Sequence, residues 1–132
     1  MSYDVYIFKF PPTYASVADL PKDIEGLPLG TAVDVRAAID LAFAGVNWDD
    51  LAWGRWNSDF GSIEFSVGKE DPVTCVALHI RAEDTVMAGV VDLCCDNGWQ
   101  AYDGGDDFVE KRSQPADGLS AWRAYRDKVI KP

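Results

Sequence analysis

The run Asp103-Gly104-Gly105-Asp106-Asp107, with Glu110 close behind it, gathers carboxylates on a glycine-rich turn. Oxygen donors of this kind suit a hard cation such as calcium or magnesium, and a bound ion would relieve the repulsion between neighbouring carboxylates. The spacing departs from the twelve-residue calcium loop, which alternates its ligands and closes on a distal Glu. The expectation is therefore a solvated turn with no metal and no cofactor, whose Asp103, Asp106 and Asp107 can meet a basic partner.

His79 is the single histidine. Strand alternation puts it on the face that also carries Cys75 and Arg81, and a His with a Cys on one face can support nucleophilic catalysis. Four residues of strand span about 13 Å, too far for Cys75 and His79 to hydrogen-bond. A His79 and Glu64 pair across neighbouring strands could act as a general base with an orienting carboxylate; an ordinary cross-strand polar pair is the competing reading. The chain has no Gly-rich phosphate loop followed by Lys and Ser or Thr, no nucleophile elbow and no histidine-rich zinc pattern. No catalytic residue is assigned, and the chain is not expected to be an enzyme.

Trp48, Trp53 and Trp56 crowd a segment that also holds Asp49, Asp50 and Asp59. Large aromatic contact area set among complementary charge is what protein interfaces use, so Asp49, Asp50, Trp53, Trp56 and Asp59 join the partner-binding candidates. Alternation sends Trp53 and Trp56 to opposite faces of a strand, so core packing competes for each.

These residues need elements to position them. Residues 2–10 are rich in aromatic and branched side chains and end at Pro11-Pro12, which reads as an internal first strand. Val5 and Ile7 take one face, and Tyr6, Phe8 and Phe10 the other, so each face is expected to be covered at least partly. Residues 11–30, with four prolines and two glycines, read as a loop with one short helical turn near residues 16–20. Thr31 caps a helix carrying Val35, Ala38, Ile39, Ala42 and Phe43 on one face, with Asp34 in its first turn and Gly45 as its stop.

Two strands then flank the turn cluster Asn57-Ser58-Asp59-Phe60-Gly61, and Ile63, Phe65 and Val67 alternate with Ser62, Glu64 and Ser66. Past the next turn at Lys69-Glu70-Asp71-Pro72, Val76, Leu78 and Ile80 continue an antiparallel meander. Asp84 is expected to cap a second helix with the stripe Val86, Val90, Leu93 and Cys94, ended by Asn97-Gly98. Residues 99–103 read as a return strand, and residues 108–110 as a short paired stretch. A last amphipathic helix, capped by Asp117 and carrying Leu119, Trp122, Tyr125 and Val129, is the candidate cover for the second sheet face. This order predicts one α+β domain over residues 1–132: an antiparallel or mixed sheet packed by helices, a ferredoxin-like variant with an extra C-terminal helix.

Charge limits the partners. The 132 residues hold 22 Asp and Glu against 12 Lys and Arg, a formal net charge of −10, while 48% are hydrophobic, enough for a core. That field disfavours nucleic acid and anionic membranes and speeds encounter with basic proteins. No apolar run approaches the roughly 18 residues of a membrane span, and the N-terminal segment does not read as a signal peptide. Cys75, Cys94 and Cys95 are odd in number and include an adjacent pair, unlike a disulfide framework; they read as small buried hydrophobes in a reducing cytoplasm.

Three stretches carry a resemblance: Met1-Ser2-Tyr3-Asp4-Val5-Tyr6, Asp71-Pro72-Val73 leading to Leu78-His79-Ile80-Arg81, and Gly98-Trp99-Gln100-Ala101-Tyr102-Asp103. With its size, acidity and lack of a catalytic signature, the chain resembles immunity proteins of bacterial contact-dependent growth inhibition and related polymorphic toxin systems. The resemblance is one of type and transfers no functional residue. It implies a cytoplasmic inhibitor that neutralises a cognate toxin domain, a basic nuclease above all, by covering its substrate surface. The alternatives are a small enzyme using an acidic metal site or the Glu64 and His79 pair, and a self-associating regulatory domain.

Overall fold

Alternation sets the faces of the first strand, β1 (Tyr3–Phe8): Tyr3, Val5 and Ile7 are buried, and Asp4, Tyr6 and Phe8 point the other way. The computed structural model describes residues 2–11, 16–105 and 107–130, the last two by backbone alone. Beyond a single helical turn at Val17–Asp19 lies α1 (Ala32–Ala42), whose capping residue Thr31 accepts a 3.1 Å hydrogen bond from the Asp34 amide. Four strands follow without interruption by helix: β2 (Asn47–Asp50), β3 (Trp53–Ser58), β4 (Gly61–Ser66) and β5 (Val76–Ala82). A 3-10 turn at Asp84–Val86 leads into α2 (Met87–Asn97), which stops at Gly98 in the left-handed conformation. The last described elements are β6 (Gln100–Tyr102), a 3-10 turn at Val109–Lys111 and α3 (Asp117–Ile130).

Among the described residues six strands form one fully antiparallel sheet in the order β2-β3-β4-β5-β1-β6. Removing one hairpin from the four-strand meander leaves β-α-β-β-α-β with the last strand beside the first, the ferredoxin-like arrangement, here extended by α3. The architecture is α+β, as the order of patterns in the sequence predicts.

One face of the sheet is the core. Val5, Ile7, Ile63, Phe65, Leu78 and Ile80 are fully buried there against Val35 and Ile39 of α1, Val90 and Leu93 of α2, and Leu119 of α3. Each such side chain contributes roughly 1.5–3 kcal/mol of burial, which outweighs the weak intrinsic preference of any single element.

Four expectations change. Among the described residues the second sheet face is covered only in part, with Phe8, Phe10 and the buried Phe108 stacked in series, because α3 directs Leu119 into the same core as α1 and α2 and leaves Asp4, Tyr6, Glu64 and His79 half-buried or exposed. Asp84 does not cap α2: no side-chain bond caps the Asp84–Val86 turn, and its carboxylate instead accepts a hydrogen bond from Ser120 Oγ (2.8 Å) and meets Arg123 of α3. Residues 108–110 are not a paired stretch, since Val109–Lys111 winds into a 3-10 turn that buries Val109. β2 adds an edge strand that Asn47-Trp48-Asp49-Asp50, with no alternating apolar pattern, does not announce.

Candidate functional site

The residues nominated for partner contact fall into two groups on opposite edges of the sheet. Asp49 and Asp50 lie on β2, and Asp103 and Asp107 follow β6. With six strands between and including these edges, the groups stand about 24 Å apart at ordinary strand spacing. Asp106 lies outside the described residues. Asp59 is exposed in the β3–β4 turn, at the end of that hairpin.

At the β2 edge, Asn47, Asp49, Asp50, Trp53 and Arg55 line a hollow of about 490 Å³. Two short-range bonds shape the strand: the Asp49 amide donates to Asn47 Oδ1 (2.8 Å) and the Ala52 amide to Asp50 Oδ1 (2.9 Å). Both carboxylates nevertheless belong to exposed residues. Beside them Trp53 is half-buried, its ring held by stacking on His79 at 5.5 Å and 18°. Two carboxylates next to an indole face can receive an ammonium or guanidinium group by charge and by cation–π attraction. Trp56 is not part of this site. It turns to the core face, meets Phe43 edge-on at 5.2 Å and donates from Nε1 to the Ala44 carbonyl (3.2 Å).

Asp103 serves the fold. Arg112 grips it with a fork, Nη1 to Oδ2 at 2.8 Å and Nη2 to Oδ1 at 2.7 Å, while Tyr3 Oη and the Gly105 amide donate at 2.5 and 3.0 Å. Its side chain is 7% exposed. Burial raises its pKa, but the bonds from Arg112, Tyr3 and Gly105 outweigh this and pull it down to about 2. The Tyr3 hydroxyl is pushed up, first by burial and then by Asp103. The acidic turn is thus an Arg–Asp–Tyr tie between β1, the segment after β6 and the end of the Val109–Lys111 turn, with Asp107 exposed at its margin and lending its carbonyl to Arg112 Nη2 (2.7 Å). Among the described residues no group of three or more His, Cys, Asp or Glu is arranged to hold a metal ion.

On the second sheet face, Arg55, Glu64, His79 and Asp4 stand opposite one another across β3, β4, β5 and β1. The register does place Glu64 beside His79. The hydrogen bond, however, joins His79 to the other neighbour: Nδ1 is 2.8 Å from Asp4 Oδ1, and Glu64 instead approaches Arg81 at 4.0 Å. Burial raises the Asp4 pKa, yet the bonds to Ser2 and His79 leave it lowered on balance. Nothing local in the sequence marks Asp4 as the partner of His79, which lies 75 positions away; the local sign is a charged residue at the solvent phase of an apolar alternation.

The cysteines divide by environment. Cys94 is buried and its thiol pKa is raised by burial and by Glu110; Cys75 is half-buried and also raised by burial. Cys95 is exposed, against the expectation that all three are buried. No helix among the described residues is long and apolar enough to cross a membrane. In comparisons with known proteins, the chain matches no family model, no curated protein and no solved structure.

Proposed function

We propose that the chain is an acidic inhibitor of the immunity-protein type, acting in the cytoplasm on a basic toxin domain, a nuclease above all, by covering its substrate surface. The observation that carries this reading is the convergence of Asp49, Asp50 and Trp53, with the basic Arg55 beside them, on one exposed hollow of a chain with formal charge −10. A nuclease holds phosphate with Lys and Arg, so carboxylates can occupy the same groups, and the long-range field speeds encounter. Asp59 and Asp107 add steering charge away from the contact. Asp103 and Trp56 stay with the fold.

The test is capture on the tagged chain from the source cells at low and high salt, with and without the Asp49→Lys/Asp50→Lys change. A basic protein held in stoichiometric amount, released by salt and lost with the double reversal, supports the reading. Retention indifferent to the reversal removes this surface, and recovery of no basic protein from cells that make the toxin removes the inhibitor.

One observation favours a second reading, a small enzyme. Asp4 at Nδ1 and Trp53 against the ring hold His79 in one orientation, which suits a general base acting through Nε2. Any hydrolytic activity detected in the purified chain should then disappear in His79→Gln while the fold is retained. Activity that survives this change excludes the dyad.

A further inference from the structure

We propose that the hollow bounded by Arg81, Arg123, Arg126 and Phe60 binds the phosphate group of a small phosphorylated ligand. The inference is independent of the inhibitor reading and concerns a different part of the molecule. The chain has only 12 basic residues against 22 acidic ones, yet three arginines are among the residues lining this one hollow of about 660 Å³. Each already meets one carboxylate, Asp84, Asp127 or Glu64, but the pairs of Arg81 and Arg126 are exposed, and grouping like charges favours a further anion.

Three segments are pinned together to build it. The Glu83 amide donates to the Phe60 carbonyl (2.8 Å), holding the β3–β4 turn against the end of β5. Arg123 of α3 donates from Nη1 to the Ala82 carbonyl (3.3 Å) and brings Nη2 to 2.5 Å from Asp84 Oδ1, while Ser120 secures the other oxygen of Asp84. The contact of Arg123 with Oδ1 is short but not aligned as a hydrogen bond, so it acts as an ion pair. Arg126 lies one turn along the same helix face, its guanidinium 5.1 Å from the Trp122 ring centre, with Nε and Nη2 directed to Asp127. Arg81 enters from β5 with its side chain 45% exposed and its nearest carboxylate contact, Glu64, at 4.0 Å.

The ligand class follows from charge and shape. Glu83 and Asp84 also line the hollow, so three positive groups face two negative ones there; Asp84 is already paired with Arg123, and a bound phosphate competes with the exposed pairs that Arg126 makes with Asp127 and Arg81 with Glu64. A single guanidinium fork satisfies a planar carboxylate, whereas guanidinium groups arriving from β5 and α3 suit the diverging oxygens of a tetrahedral phosphate. Phe60, 50% exposed at the lip, offers a flat apolar contact for the rest of the ligand.

The probe is phenyl phosphate, titrated into the full chain and followed by amide NMR shifts, with inorganic phosphate, benzoate and sodium chloride of equal ionic strength in parallel. The expected result is saturable shifts confined to the neighbourhood of Phe60, Arg81, Arg123 and Arg126, strongest with phenyl phosphate. In Arg81→Gln/Arg126→Gln, which spares the Asp84 tie, binding should weaken about tenfold or more with the remaining spectrum native-like. Benzoate binding as tightly as phenyl phosphate overturns the phosphate assignment. Shifts no larger than those in salt, or unchanged binding in the double variant, overturn the site.

Discussion

Asp103 ties its charge to stability more closely than any exposed carboxylate of the chain can. Its pKa falls from 3.8 to about 2, so the folded state favours the ionised form. The resulting stabilisation is fully present above the unfolded value and is lost as pH falls through about 2. The size of the shift corresponds to about 2 kcal/mol for a side chain that is only 7% exposed. Urea unfolding between pH 6 and pH 2 should show Asp103→Asn destabilised by about that amount at pH 6, with a flatter loss toward acid. Equal acid slopes in both proteins would show that other carboxylates, Asp4 among them, carry the acid limb. The carboxylate itself was legible in the sequence, but its role was not. Arg112 lies nine positions away and Tyr3 a hundred, and no local pattern announces that fork.

At the scale of elements, local rules performed well wherever the decisive partners were neighbours. The Thr31 cap and the Gly98 stop depend on contacts within a turn, and the stripe of Val86, Val90, Leu93 and Cys94 follows from helical periodicity. Packing between elements follows other constraints, as Gly89 of α2 illustrates. A Cβ at that position would lie 2.7 Å from the Phe43 ring just past α1. Ala is better than Gly in a helix by up to about 1 kcal/mol, whereas overpacking a close contact costs about 1–3 kcal/mol, so the clash should dominate. Gly89→Ala is therefore expected to destabilise by about 1–2 kcal/mol in chemical denaturation. A gain in stability would mean that Phe43 can move aside and that propensity decides. Pairing across elements also explains what the pattern of β2 concealed: four residues without alternation become a strand because β3 supplies the hydrogen bonds.

For the whole molecule, the governing quantity is the net charge of −10. Raising sodium chloride from about 0.01 to 0.15 M shortens the screening length from about 30 to 8 Å, which weakens long-range self-repulsion while sparing contacts such as Arg112 with Asp103. The melting temperature should rise by about 2–4 °C over this range, as followed by circular dichroism. A fall would mean that attractive pairs outweigh the repulsion of the excess acids. Composition alone determined this field, and patterns of two and of 3.6 residues determined most strands, most helix faces and the α+β class, because charge sums and periodicities are properties of the chain itself. Tertiary structure alone decided which sheet face α3 covers, that Asp4 rather than Glu64 holds His79, that Asp103 is bound internally, and that three arginines share one hollow. Those outcomes depend on which distant segments meet, and a side chain's role follows from its neighbours in space.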